Sequence, residues 1–191
     1  IVSGSKRSNP KSIKEIVINS ISSDDYKLTS NEINRITHKI KEDQKWIDSI
    51  HIFRTLPNII NIRIVEYAPF AIWQYMNNEY VVDSNGNKIW VDNIDDFDSL
   101  LILSGSNAYS HVKSLFNLMA INPDISSMIY SATWVGNRRW DLRLQNSVLI
   151  KLPSSKISQS WNQLVVMFNT QGMFYNLKLI DLRVKGKIYL E

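Results

Sequence analysis

Residues 138–153 read RRWDLRLQNSVLIKLP. Trp140, Leu142 and Leu144 alternate with Arg139, Asp141 and Arg143, the period-two pattern of a strand with one buried face. A second short strand follows Asn146-Ser147, so 138–145 and 147–152 form a β-hairpin with the tryptophan on the core side. The arginine at 139 then lies on the other face. A planar guanidinium there can grip a carboxylate through its fork of donors. That carboxylate is either internal, from Asp181 or the acidic middle of the chain, or belongs to a partner.

Working outward, the same alternation marks strands at 126–135 and 177–190. YVVDSNGNKIWV (80–91) reads as a hairpin turning at Asn85-Gly86, a strong short-range turn signal. DNIDDFDS (92–99) is an acidic loop. Ala108, Val112, Leu115 and Met119 recur at helical spacing over about 106–120, and Ile157, Trp161, Leu164, Val165 and Phe168 do so over about 155–170. The first third differs. Ile13, Ile16, Val17 and Ile21 form one helical stripe and Ile33, Ile36 and Ile40 another, with Ser30 or Asn31 expected as N-cap of the second. Two strands joined at Leu56-Pro57-Asn58 close this part, with Ile60, Ile62 and Ile64 on one face. The opening IVS has the texture of a strand end. Helices and strands are segregated rather than strictly alternating, which places the chain in the α+β class.

The 191 residues carry a net charge of +4, divided unevenly. Residues 1–65 hold 11 basic and 7 acidic side chains, 66–133 hold 2 and 8, and 134–191 hold 9 and 3. Such segments either neutralise one another within one fold or present a basic surface to nucleic acid. No helix-turn-helix, RNP or zinc-finger pattern supports the second reading. With no cysteine the chain has no disulfide and no thiolate metal site. His38, His51 and His111 are scattered, and Asp92, Asp95, Asp96 and Asp98 lack the glycine and terminal glutamate of a calcium loop. Nothing assembles into an acid, base and nucleophile set. The expectation is a protein without catalytic activity, cofactor, metal or small-molecule substrate.

IRIVEYAPFAIWQ, then VVDSNG, then VGNRRWDLRLQNSVLIKLP, then IDLRVKGKIYLE occur in this order along nearly the whole chain. Together they resemble the FtsQ/DivIB family of bacterial cell-division proteins, in particular its alphaproteobacterial branch. The resemblance implies a POTRA domain at 1–66, lacking the start of its first strand, and the family's β domain at 67–191, mostly antiparallel with two flanking helices. It also implies a cytoplasmic tail and one inner-membrane helix upstream of Ile1, which puts this region in the periplasm at the midcell division site. The family usually has Gly where this chain has Ser147.

The function implied is a noncatalytic divisome scaffold that binds the small proteins FtsB and FtsL and links division-site assembly to septal wall synthesis. Arg54 and Pro57 match the recruitment region of the POTRA domain. Glu66, Pro69, Ala71 and Trp73 match the interdomain signature, with a structural role. Arg138 and Arg139 are candidates for partner contact. So is the last stretch, comprising Leu179, Asp181, Arg183, Val184, Lys185, Gly186, Lys187, Ile188, Tyr189 and Leu190. As one strand at a sheet edge, that stretch offers unpaired backbone groups to an added strand. The competing reading is a POTRA-bearing protein of outer-membrane assembly or export that binds substrate strands.

Overall fold

The structure is a computed structural model that describes residues 1–21, 29–56, 59–171, 174 and 176–191. Contacts divide the chain into two units, Ile1–Ala68 with Ile89–Val91, and Pro69–Lys88 with Asp92–Glu191.

The first unit begins with β1 (Val2–Ser3) and α1 (Pro10–Ile18). Asn9 caps α1 by accepting from the N–H groups of Lys11 and Ser12, and Pro10 fills the first helical position, where no N–H is needed. Next comes α2 (Ser30–Asp43). Its N-cap is Thr29, not Ser30 or Asn31, because Glu32 three residues on closes a reciprocal capping box: Glu32 N–H donates to Thr29 Oγ1 and Thr29 N–H to Glu32 Oε2. β2 (Ile47–Thr55) and β3 (Ile59–Glu66) pair antiparallel, and β1 pairs parallel with β3, in the order β1-β3-β2. Ile13, Val17, Ile36, Ile40, Ile47, Ile62 and Ile64 make the core. The carboxylate of Glu66 accepts from the consecutive N–H groups of Lys6, Arg7 and Ser8. Burial raises its pKa, but these hydrogen bonds outweigh that and hold it below the usual range.

From Pro69 onward the elements are β4 (Pro69–Tyr75), β5 (Asn78–Asp83), β6 (Lys88–Ile89), β7 (Leu101–Ser104), α3 (Ala108–Met119), α4 (Pro123–Ser127), β8 (Ile129–Val135), β9 (Arg139–Leu144), β10 (Leu149–Lys151), α5 (Ile157–Gln171), β11 (Leu179–Asp181) and β12 (Tyr189–Leu190), all of the second unit except Ile89. One sheet runs β12-β11-β10-β9-β8-β7-β4-β5-β6. Its pairings are mixed. β4–β7, β7–β8 and β10–β11 are parallel, while β4–β5, β8–β9, β9–β10 and β11–β12 are antiparallel.

In register, Trp73, Leu103, Ala132, Leu142, Ile150, Ile180 and Leu190 form one row across the sheet. Up to Ile180 this row is buried in a core that also contains Val112, Leu115 and Leu118 of α3 and Trp161 and Leu164 of α5. Trp73 is thus a core residue of this unit, and its indole N–H donates to the Gly105 carbonyl at 3.0 Å.

Several expectations need correcting. The strand expected at 126–135 starts at Ile129, because Asn122 caps Ile125 and Pro123 starts the short helix α4. The hairpin loop after β5 is organised by Asp83 as much as by Asn85-Gly86. Its carboxylate accepts from the N–H groups of Asn85 and Asn87, both at 2.8 Å. Gly86 is still required there, since its φ is +90° and a Cβ would lie 2.2 Å from the Tyr109 carbonyl oxygen. Ser147 adopts φ +70° at the end of a three-residue loop closed by Leu144 and Val148, the position that favours glycine.

The largest correction is at the C-terminal stretch. Residues 177–190 are not one strand. β11 ends at Asp181, the chain turns through 182–188 with Gly186 at φ +71°, and β12 folds back antiparallel onto β11. Val184, Lys185, Gly186 and Lys187 therefore lie in a turn, where Lys187 N–H donates to the Val184 carbonyl.

Candidate partner-docking edge

β12 is the outermost strand at one side of the nine-stranded sheet. Leu179 and Glu191 exchange both main-chain hydrogen bonds, each 3.1 Å, so the neighbouring pair Ile180 and Leu190 is of the non-hydrogen-bonded kind. The N–H and C=O of Leu190 consequently point away from the sheet, toward the place of a further strand. Tyr189, opposite Asp181, turns its own inward.

The side chain of Leu190 ends the core row, yet it is 48% exposed. Beside it lies a groove of about 580 Å³ between α5 and β12, lined by Asn162, Gln163, Val166, Met167, Thr170, Ile188 and Leu190. An apolar side chain on an added strand would extend the core row into this groove. Val166 also stands exposed on its wall.

The opposite face of the same strands carries charge. Asp141, Lys151, Asp181 and Tyr189 are in register across β9, β10, β11 and β12. Arg139 Nε donates to Asp141 Oδ1 at 3.0 Å with both side chains mostly buried. Arg183 makes a forked contact with Asp181, Nε to Oδ1 at 2.9 Å and Nη2 to Oδ2 at 2.6 Å, and its backbone N–H also donates to Oδ1. Hydrogen bonding from the Arg183 side chain holds the Asp181 carboxyl below its ordinary range against the opposing effect of burial, with smaller help from Lys151. The same pairing raises the Arg183 guanidinium. The result is a band of alternating sign.

Of the doubled arginines, Arg139 is satisfied by Asp141, which is neither of the internal partners expected. Arg138 sits in the exposed turn before β9 and has no ion pair among the described residues. Leu179 pairs with Leu149 inside the sheet. Arg54 belongs to β2 of the first unit, opposite Ile60, and Pro57 lies outside the described residues. The α5 wall of the groove was not anticipated from the sequence. The turn before β12 did have a signal, in VKGKIYL, where Gly186 stands between two lysines.

Among the described residues no group of three or more His, Cys, Asp or Glu could hold a metal ion, and no helix is long and apolar enough to cross a membrane.

Comparison with known proteins gives these elements a family. Residues 71–183 match the family described as "Cell division protein FtsQ/DivIB, C-terminal", and residues 1–67 match "POTRA domain, FtsQ-type". The chain is similar to the cell division protein FtsQ of Rickettsia conorii, 32% identical over 161 residues that cover 84% of this chain and 60% of the relative. It is also similar to FtsQ of Zymomonas mobilis, at 33% over 117 residues covering 60% and 36%. With FtsQ of Bartonella bacilliformis it shares 25% over 182 residues covering 94% and 59%. The chain spans about 60% of the length of the Rickettsia relatives. Since the C-terminal family match alone takes in more than half of its residues, the chain belongs to the FtsQ/DivIB family of cell division proteins.

Proposed function

We propose that this chain is the periplasmic part of a noncatalytic divisome scaffold whose β12 edge receives an added strand from FtsB, with FtsL alongside. On this reading residues 1–66 form the POTRA domain, with Arg54 and Pro57 in its recruitment region, and 67–191 form the β domain. A single inner-membrane helix upstream anchors the whole at midcell. The observation that carries the proposal is the termination of the core row at Leu190. A half-exposed leucine with outward backbone groups stands beside an apolar groove, an arrangement that β-augmentation completes with main-chain bonds and a side-chain pocket. Arg138 supplies a cation without an ion pair among the described residues, and Arg183 ends the charged band through its fork on Asp181.

The export or outer-membrane-assembly reading is weaker, because the FtsQ/DivIB match covers the β domain that such proteins are not expected to carry. The test is capture of the extracytoplasmic part of FtsB, with and without FtsL, by residues 1–191 at low and physiological salt. A saturable complex is expected. Failure to bind FtsB even at low salt would remove the central claim.

A further inference from the structure

We propose that Asp181 is the positioning residue of the docking edge: its carboxylate, clamped by Arg183, sets the direction in which the chain returns as β12. The inference deepens the strand-docking reading and rests on it.

Burying a carboxylate is costly unless it is paired and hydrogen-bonded, so the places where a fold retains one are informative. Among the described residues two are buried, Asp83 at 7% and Asp181 at 9% exposure. Both end the strand next to an edge of the nine-stranded sheet, Asp83 closing β5 beside β6 and Asp181 closing β11 beside β12. Each accepts the backbone N–H two residues on, from Asn85 at 2.8 Å and from Arg183 at 3.0 Å, the Asx-turn that bends a chain out of a strand. Their remaining partners differ. Asp83 takes neutral donors, the backbone N–H and side-chain amide of Asn87. Asp181 takes the guanidinium of Arg183, whose Nε lies 2.9 and 3.0 Å from its two oxygens and whose Nη2 lies 2.6 Å from Oδ2.

β12 depends on that clamp because little else orients it. The strand has two residues, so its own ladder to β11 is short. Leu182 and Ile188 seat the two ends of the 182–188 turn on the core, but apolar contact is non-directional. At the tip of the turn a Cβ on Gly186 would meet nothing within 4 Å. A planar fork, by contrast, fixes angle as well as distance. The two partners are also unequally enclosed, with 13% of the Asp181 side chain and 45% of the Arg183 side chain exposed. Arg183 thus answers a buried charge from the solvent side. Removing Arg183 alone strands that charge, whereas removing both charges does not.

The test compares residues 1–191 with Arg183→Gln and with the double variant Asp181→Asn, Arg183→Gln, in which the asparagine still offers an oxygen to the N–H of position 183. Amide hydrogen exchange is read at Leu179 and Glu191, which carry β11–β12 bonds, and at Leu152, bonded to the Trp140 carbonyl inside the sheet. Exchange at Leu179 and Glu191 should be about tenfold faster in Arg183→Gln and return to within about threefold of the parent in the double variant, with Leu152 unchanged in both. Affinity for FtsB, by calorimetric titration, should fall and recover in the same order, since a partner binds only the molecules whose edge is in place. If Arg183→Gln folds poorly, Asp181→Ala against Asp181→Asn carries the comparison: alanine loses the turn's acceptor and should exchange roughly threefold or more faster. Exchange alike in parent and Arg183→Gln, or as fast in the double variant as in Arg183→Gln, overturns the proposal. So does exchange that recovers in the double variant while affinity does not, which makes Arg183 a direct partner contact. If exchange follows the expected order but the parent does not bind FtsB, the strand-docking reading falls while the hold of Asp181 on β12 stands.

Discussion

Replacing Leu190 with proline removes one N–H that faces away from the sheet and no bond within it, because the β11–β12 bonds are made by Leu179 and Glu191 and by the Asp181–Tyr189 pair. The domain should therefore melt close to the parent. A partner strand paired at this edge would lose one main-chain hydrogen bond, worth about 0.5–1.5 kcal/mol net, or a roughly 2- to 13-fold weaker complex. The leucine side chain is lost as well, and Leu190→Ala measures that part separately. With 48% of the residue exposed, docking can still bury about half of a leucine. That is about 1 kcal/mol out of the 1.5–3 expected for full burial, near fivefold in affinity. Tyr189→Pro has the opposite parity and should disrupt β12 itself. Calorimetric titration of FtsB into the three variants, with thermal melts alongside, checks the set. If folded Leu190→Pro binds no more weakly than Leu190→Ala, the outward backbone of β12 is not what the partner reads, and strand addition at this edge is wrong.

Ser147 holds φ +70°, so Ser147→Gly should raise stability by about 0.5–1 kcal/mol, the left-handed penalty less the extra freedom glycine has when unfolded, as read from the urea midpoint. Glu66 and Asp181 both have depressed carboxyl pKa values. Their stabilising contributions should be complete above the unfolded values near about 4 and be lost as pH falls through the lower folded ones. Glu66→Gln should flatten that acid dependence in urea melts between neutral and acid pH, and an unchanged slope would show that the cradle of Lys6, Arg7 and Ser8 N–H groups does not stabilise the charged form.

What could be read from the sequence follows from which residues speak through a short-range pattern. The hairpin of β9 and β10 was legible because Trp140, Leu142 and Leu144 alternate with charge, and both helices on the large sheet were legible from their apolar stripes. β7 was not, because Leu100 to Leu103 are apolar without interruption, and a four-residue strand buried on one face and half-buried on the other shows no period in its residue types. β4 escaped for a related reason, and its tight turn into β5 uses Met76 at φ +49° where a glycine or asparagine would have signalled it. At the candidate site, IDLRVKGKIYL alternates well enough to suggest one long strand. Only the return of β12 onto β11 shows that the edge belongs to Tyr189 and Leu190. The pairing of Arg139 with Asp141 rather than with distant acids was also hidden, although two residues along one strand face is the shortest route between them.

The parallel pairing of β10 with β11 ties this surface to the elements that precede it. β11 lies beside β10 by way of the α5 crossover, and β12 rests on β11, so the edge exists only where both pairings are in place. A chain that is still folding, or one in which the large sheet has opened, has no such edge to offer. Recognition of Leu190 by a partner would thus sample the integrity of the whole domain, admitting finished copies to the assembly and passing over the rest.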